Sequence, residues 1–206
     1  MLLRLSYITL LLSLIAFPEQ IKAVENHPIP EAYVYCTVCH GVLFKGNAAT
    51  RAPKLTGLSA WYIESQLRAF RNGSRGHRAE DLAGLEMRPM AEMLTEKQIS
   101  HVSRLIADLP SVEQNDSYSN TSKHGQQLYA SCSVCHEADA KGNQSLGAPN
   151  LATQDSWYLI TQLNNYRNSI RGAENTDIMG IQMRNASSVL KSDQDVADVV
   201  IYIKSL

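Results

Sequence analysis

Cysteine and aromatic residues are scarce in this chain. It has 4 cysteines in 206 residues, and only 7% of the sequence is Phe, Trp or Tyr. Four thiols are too few for a small secreted scaffold held by disulfides, and a large aromatic core is excluded. Charge of one sign is also missing, since 19 Lys+Arg face 20 Asp+Glu. That balance excludes a strongly basic nucleic-acid binder. With 44% hydrophobic and 19% charged residues, the chain is neither a disordered tail nor a collagen-like repeat. Beyond Phe17 no segment is apolar enough to span a bilayer.

What is present begins with residues 1–23, which read as an export signal. Arg4 supplies a basic start, Tyr7 to Phe17 is an uncharged apolar run, and Pro18 breaks it. The run is shorter than the ~20 residues of a spanning helix. Ile21-Lys22-Ala23 places a small residue at the cleavage position. The mature chain is expected to start near Val24 and to work in the periplasm.

The rest is a duplication with an offset of 96 residues. Cys36, Cys39 and His40 fall on Cys132, Cys135 and His136. Lys45-Gly46-Asn47, Ala52-Pro53 and Leu55 fall on Lys141-Gly142-Asn143, Ala148-Pro149 and Leu151. Further matches are Trp61-Tyr62 with Trp157-Tyr158, Gln66 with Gln162, Arg71 with Arg167 and Arg75-Gly76 with Arg171-Gly172. Asp81, Gly84, Met87 and Leu94 match Asp177, Gly180, Met183 and Leu190. One inserted residue in the second copy extends the match to Leu109 and Leu206. Between the copies lies a stretch rich in Ser, Asn and Thr, which is linker composition. The expected organisation is a first domain over 24–110, a linker over 111–123 and a second domain over 124–206.

Both copies read as helices joined by loops, so the fold class is all-α. Gly125 to Cys135 forms a first helix, and Trp61 to Arg71 a second with apolar residues at helical spacing. Thr95-Glu96 opens another, with Ile99, Val102, Leu105, Ile106 and Leu109 on one face. Val196, Val199, Val200, Ile203 and Leu206 form the matching face of the second copy. Domains of ~85 residues often need a staple or a bound group to complete the core.

Cys36-Thr-Val-Cys39-His40 and Cys132-Ser-Val-Cys135-His136 have the spacing of c-type haem attachment. Two thiols three residues apart reach the two vinyl groups of one porphyrin, and the adjacent histidine ligates the iron. A thioredoxin-like pair needs a βαβ context that is missing, and a zinc ribbon spaces its pairs about 15–20 residues apart, far less than the separation here. Two covalently bound haem c groups are expected. A sixth ligand from methionine raises the potential and suits electron transfer. Of Met87, Met90, Met93, Met179 and Met183, only Met87 and Met183 occupy one position in both copies, and they are the expected axial ligands. Met90 is the chief rival in domain one.

Buried haem propionates need donors. Trp61, Tyr62, Arg71 and Arg75, with Trp157, Tyr158, Arg167 and Arg171, recur in both copies and carry suitable N–H and O–H groups. Ordinary helix packing explains them equally well. His27, His77, His101 and His124 have no counterpart and read as surface or linker residues.

These motifs resemble class I cytochromes c, and among them the dihaem c4-type cytochromes. The likeness rests on C-x-x-C-H, Ala-Pro-x-Leu, and a methionine seven residues before the leucine that opens the last helix. It implies two tandem cytochrome c domains, one haem in each, His/Met ligation and haems near the domain boundary. It also implies that the carbonyls of Pro53 and Pro149 accept a hydrogen bond from the ligand histidines, fixing their ring planes. Pro53 and Pro149 are the candidate residues behind the ligand histidines, and Trp61, Trp157, Arg71 and Arg167 join them as the candidate residues around the haem. The family's first helix carries a glycine and an aromatic that pack on an aromatic of the last helix. Domain two has Gly125, Tyr129 and Tyr202, whereas domain one has Ile29, Tyr33 and Leu105, so a shorter or looser first helix is expected there.

The expected function is single-electron transfer between redox proteins, membrane-bound respiratory complexes among them, toward a terminal oxidase. No catalytic residues, nucleic acid or small-molecule substrate are expected. Two alternatives are a cytochrome subunit of a periplasmic dehydrogenase complex and, more remotely, a dihaem peroxidase-like enzyme.

Overall fold

The computed structural model describes residues 29–111 and 121–206. The expected export signal and most of the expected linker lie outside the described residues. Two helical units follow one another, with four α-helices in each among the described residues. The first holds α1 (Glu31–His40), α2 (Ala60–Arg71), α3 (Leu82–Glu92) and α4 (Glu96–Ala107). The second holds α5 (Lys123–His136), α6 (Ser156–Arg167), α7 (Ile178–Ser187) and α8 (Asp193–Lys204). Among the described residues there is no strand, only the isolated bridges Asn47–Ala52 and Asn143–Ala148. No helix among them is long and apolar enough to cross a membrane.

Local chemistry sets the helix starts. Thr95 and Ser192 close capping boxes with Gln98 and Asp195, which satisfy the first free N–H groups of α4 and α8. Asp81 and Asp177 accept from the N–H of Gly84 and Gly180 and so start α3 and α7. These two helices, which carry Met87 and Met183, are absent from the sequence reading. Glycine and, in α3, the internal Pro89 weaken the periodic signal, and packing against α2 and α6 supplies what propensity lacks.

In each unit the last helix lies against the core. Ile99, Val102 and Ile106 are buried in domain one, and Val196, Val199, Val200 and Ile203 in domain two. The units differ at their first helix. The 14-residue α5 crosses α8 so closely that a Cβ on Gly125 would stand 2.0 Å from the carbonyl oxygen of Asp198. Tyr129 and Tyr202 pack at 5.5 Å beside that crossing. The 10-residue α1 starts at Pro30 without a side-chain cap. It is tied to α4 through Tyr33, whose hydroxyl lies 3.1 Å from His101 Nδ1.

His124 lies in the first turn of α5, where the helix dipole disfavours a cation. Asp195 offsets this at 3.0 Å. The hydrogen bond to Asp195 raises the imidazole pKa above its usual 6.5, and the same bond pulls Asp195 down to about 2. The folded state therefore binds the histidine proton more tightly than the unfolded state. That contribution is complete below pH 6.5 and is lost as pH rises through the raised value. Domain two is expected to melt at a slightly lower temperature at pH 8 than at pH 6. His124→Gln removes that slope, and a slope that survives the substitution refutes the assignment. The effect is small because the pair is solvated.

The two units meet around a pseudo-dyad. Gly57 faces Thr153, its own equivalent by the repeat, and a Cβ on Gly57 would stand 2.9 Å from the threonine methyl. Gln154 donates through Nε2 to the carbonyl of Lys54 at 2.8 Å. Arg75 donates to Tyr158 and Gln162 of domain two, and Arg171 returns the pattern to Tyr62 and Gln66 of domain one. His77, expected at the surface, is instead partly buried and lies 2.8 Å from Glu174 of the other domain.

Candidate haem sites

Both C-x-x-C-H strings end a helix, α1 in one unit and α5 in the other. Helical spacing of three and four residues puts the two thiols and the imidazole along one side. Cys36 and Cys132 are partly buried against the cores, while Cys39 and Cys135 are exposed. All four thiols are free. Burial pushes the Cys36 and Cys132 thiols above their usual range, so they stay protonated at neutral pH.

His40 and His136 are buried at 7% and 5% exposure. Their Nδ1 atoms lie 2.8 Å and 3.0 Å from the carbonyl oxygens of Pro53 and Pro149. A carbonyl only accepts, so Nδ1 carries the proton and Nε2 keeps its lone pair. Burial lowers both imidazole pKa values despite that hydrogen bond. Each ring is thus neutral, with one nitrogen taken and the other able to ligate a metal.

The loop between histidine and proline is closed by the repeated Lys-Gly-Asn. The N–H groups of Gly46 and Gly142 donate to the carbonyls of His40 and His136 at 2.8 Å and 3.0 Å. Asn47 and Asn143 cap the short turns that follow. Gly46 has φ +85°, and a Cβ there would stand 2.6 Å from the backbone nitrogen of Lys54. Only glycine fits that approach.

The methionines divide by exposure. Met87 is half-buried and packs on the core of domain one, and Met183 is half-buried at the equivalent place on α7. Met90, Met93 and Met179 are 37%, 62% and 54% exposed. The start of each methionine helix is pinned where Gly76 and Gly172, both at positive φ, abut Gly84 and Gly180. A Cβ on Gly76 would stand 2.3 Å from the carbonyl oxygen of Gly84. The sequence shows these glycines and the capping aspartates as repeated residues but assigns them no role, because their partners lie on another segment.

Trp61 and Tyr62 meet edge to face at 5.6 Å and 72°, and Trp157 and Tyr158 repeat the geometry. Arg71 spends its donors on the Leu94 carbonyl and Glu96, and Arg167 pairs with Asp193. These two arginines hold α2 and α6 against the first turns of α4 and α8. Arg75 and Arg171, by contrast, are buried at the domain boundary.

The donor set fits haem c. Each unit offers two free thiols at the attachment spacing and a neutral imidazole oriented through Nδ1, and a half-buried thioether lies on a neighbouring helix. The chain is matched by the family model for cytochrome c over residues 31–110 and again over 122–206. It is similar to a thiosulfate dehydrogenase electron acceptor from Stutzerimonas stutzeri, 28% identical over 188 residues, covering 85% of this chain and 80% of that protein. A cbb3-type cytochrome c oxidase subunit FixP from Sinorhizobium medicae is 33% identical over 123 residues, 58% of this chain and 41% of that subunit. Among solved structures, reduced cytochrome c4 from Pseudomonas stutzeri superposes with a TM-score of 0.68 at 25% identity, over 90% of this chain and 97% of that one. The chain belongs to the cytochrome c family, as two tandem domains of the dihaem c4 type that carry two covalent haem c groups.

Proposed function

We propose that this protein is a periplasmic electron carrier that accepts single electrons from a dehydrogenase and passes them toward a respiratory terminal oxidase. Bound haem supplies a reversible one-electron iron couple. His40 and His136 would hold the iron through Nε2, Met87 and Met183 would close the other face, and Cys36, Cys39, Cys132 and Cys135 would carry the thioether bonds. The pairing of Met87 with Met183 carries this reading. A closed iron with imidazole and thioether ligands suits electron transfer and leaves no position for substrate.

Similarity to an electron acceptor of thiosulfate dehydrogenase supports a donor of that kind, and similarity to an oxidase subunit supports the outlet. The apolar N-terminal run and the thioether chemistry support export. A redox titration with optical and near-infrared spectra tests the ligation. Two haems per chain, each with a methionine–iron charge-transfer band, are expected. Carbon monoxide binding to the reduced protein at neutral pH contradicts the reading and favours a peroxidase-like enzyme. The first relative also favours a second reading, a cytochrome subunit of a periplasmic dehydrogenase complex. Purification from the native host with a stoichiometric dehydrogenase would establish that instead of a free carrier.

A further inference from the structure

Each unit ties the loop behind its ligand histidine to its methionine helix, and the two units do so with unlike chemistry. In domain one the tie is ionic. Arg51, on the loop that leads to Pro53, lies 2.7 Å from Glu86, the residue next to Met87 on α3. The two side chains are 47% and 63% exposed. Among the described residues no other ion pair joins such a loop to a methionine helix. The others lie within one helix, within one loop, between helices other than α3 and α7, or between the domains.

In domain two the repeat puts Gly147 and Gln182 at those positions, and no charge remains. The tie there is a thioether. A Cβ on Gly147 would stand 2.5 Å from Met179 Sδ and 2.8 Å from its Cε, so the Met179 side chain lies across bare glycine backbone. Met179 stands one turn before Met183 on α7.

The two ties are exchanged as sets. Arg51 and Gly147 end equivalent short turns, Ala48–Thr50 and Gln144–Leu146, and both are left-handed, at φ 56° and 66°. A residue with a Cβ is uncommon in that conformation, so Arg51 holds its place at a conformational cost that Gly147 avoids. Ala83 stands where domain two has Met179, and its side chain is too short to cover the loop.

Each site has two walls on separate segments. The loop fixes the histidine through Pro53 or Pro149, and the helix carries the methionine. A methionine leaves an iron when its helix moves away from the loop, so a tie between the two opposes release. An exposed ion pair weakens when salt screens it. A contact between a thioether and glycine backbone carries no net charge to screen.

We propose that the Arg51–Glu86 pair and the Met179–Gly147 contact are the ties that keep Met87 and Met183 on their irons, so that salt loosens methionine ligation in domain one and leaves it unchanged in domain two. Arg51, Glu86 and Met179 are thereby positioning residues. The proposal rests on the reading of Met87 and Met183 as axial ligands.

The test is imidazole titration of the oxidised holoprotein, read by loss of the near-infrared methionine–iron band. An imidazole nitrogen replaces the thioether sulfur on the iron, and no electron moves. At mildly alkaline pH imidazole is neutral, so salt does not act on its approach. Raising sodium chloride from about 0.01 M to about 1 M shortens the screening length from ~30 Å to ~3 Å. Half of the band is expected to yield at about threefold less imidazole in high salt, and the other half at an unchanged concentration. Arg51→Gln and Glu86→Gln each bring the high-salt behaviour to low salt and abolish the salt dependence. Combining Arg51→Glu with Glu86→Arg restores the parent's behaviour, which a merely structural role would not. Met179→Ala keeps both bands without imidazole and eases displacement of the other half by about threefold at either salt. Equal salt responses of the two halves, or none, overturn the proposal. So does an exchanged double variant that behaves like the single ones. The parent's own salt titration carries the test if a variant fails to mature. If the parent shows no methionine–iron band, the ligand reading beneath the proposal has failed; if the band is present and both halves move together, the proposal alone has failed.

Discussion

Met183→Ala is expected to remove the near-infrared methionine–iron band of one haem, halving the total intensity of that band, and to lower one midpoint potential by a few tenths of a volt. Axial ligands span roughly 0.8 V among haem proteins, and loss of thioether sulfur removes the ligand that raises the potential. The altered haem turns high-spin and binds carbon monoxide when reduced, while the other keeps its spectrum. Met87→Ala produces the mirror result in domain one. The same change at Met90, Met93 or Met179 leaves both bands in place, because these side chains are exposed rather than held against a core. Two intact bands in the Met183 variant, or a lost band in the Met90 variant, transfer the ligand role to another residue.

A large effect on stability is expected at Gly125. Alanine there gains about 1 kcal/mol of helix propensity over glycine. Its Cβ, however, would stand 2.0 Å from the backbone oxygen of Asp198, so α5 and α8 must separate. Overpacking against backbone costs about 3 kcal/mol, which outweighs the gain. A net loss of about 2 kcal/mol lowers the melting temperature of a domain this size by roughly 8–16 °C. Calorimetry of the holoprotein reads the effect, and an unchanged melting temperature shows that the crossing is looser than described. Ile29, the equivalent position in domain one, precedes α1 and faces no such crossing, so Ile29→Ala acts through lost apolar burial alone and costs less.

Several features of the sites are legible without coordinates because they depend on residues near one another in the chain. The C-x-x-C-H strings state their chemistry through helical spacing. The repeat selects Met87 and Met183 from five methionines, and exposure divides the same five in the same way. The capping Thr95, the apolar face from Ile99 to Leu109 and the shorter first helix of domain one follow from local pattern. The methionine helices do not, since glycine and Pro89 obscure the period and their stability comes from α2 and α6. The arginines show the limit most clearly. Arg71 and Arg75 are both repeated, both cationic and four residues apart, and nothing local says which one faces solvent-side carboxylates and which one is buried.

The amino-acid order alone determined the duplication, the all-α class, the two attachment motifs and the matched methionines, because covalent spacing and periodicity carry that information within each copy. The tertiary structure decided how the copies face each other: Gly57 against Thr153, His77 against Glu174, and two arginines exchanged across a pseudo-dyad. Contacts between residues about a hundred positions apart depend on which surfaces remain uncovered once each core has formed. That selection exists only after both domains have folded.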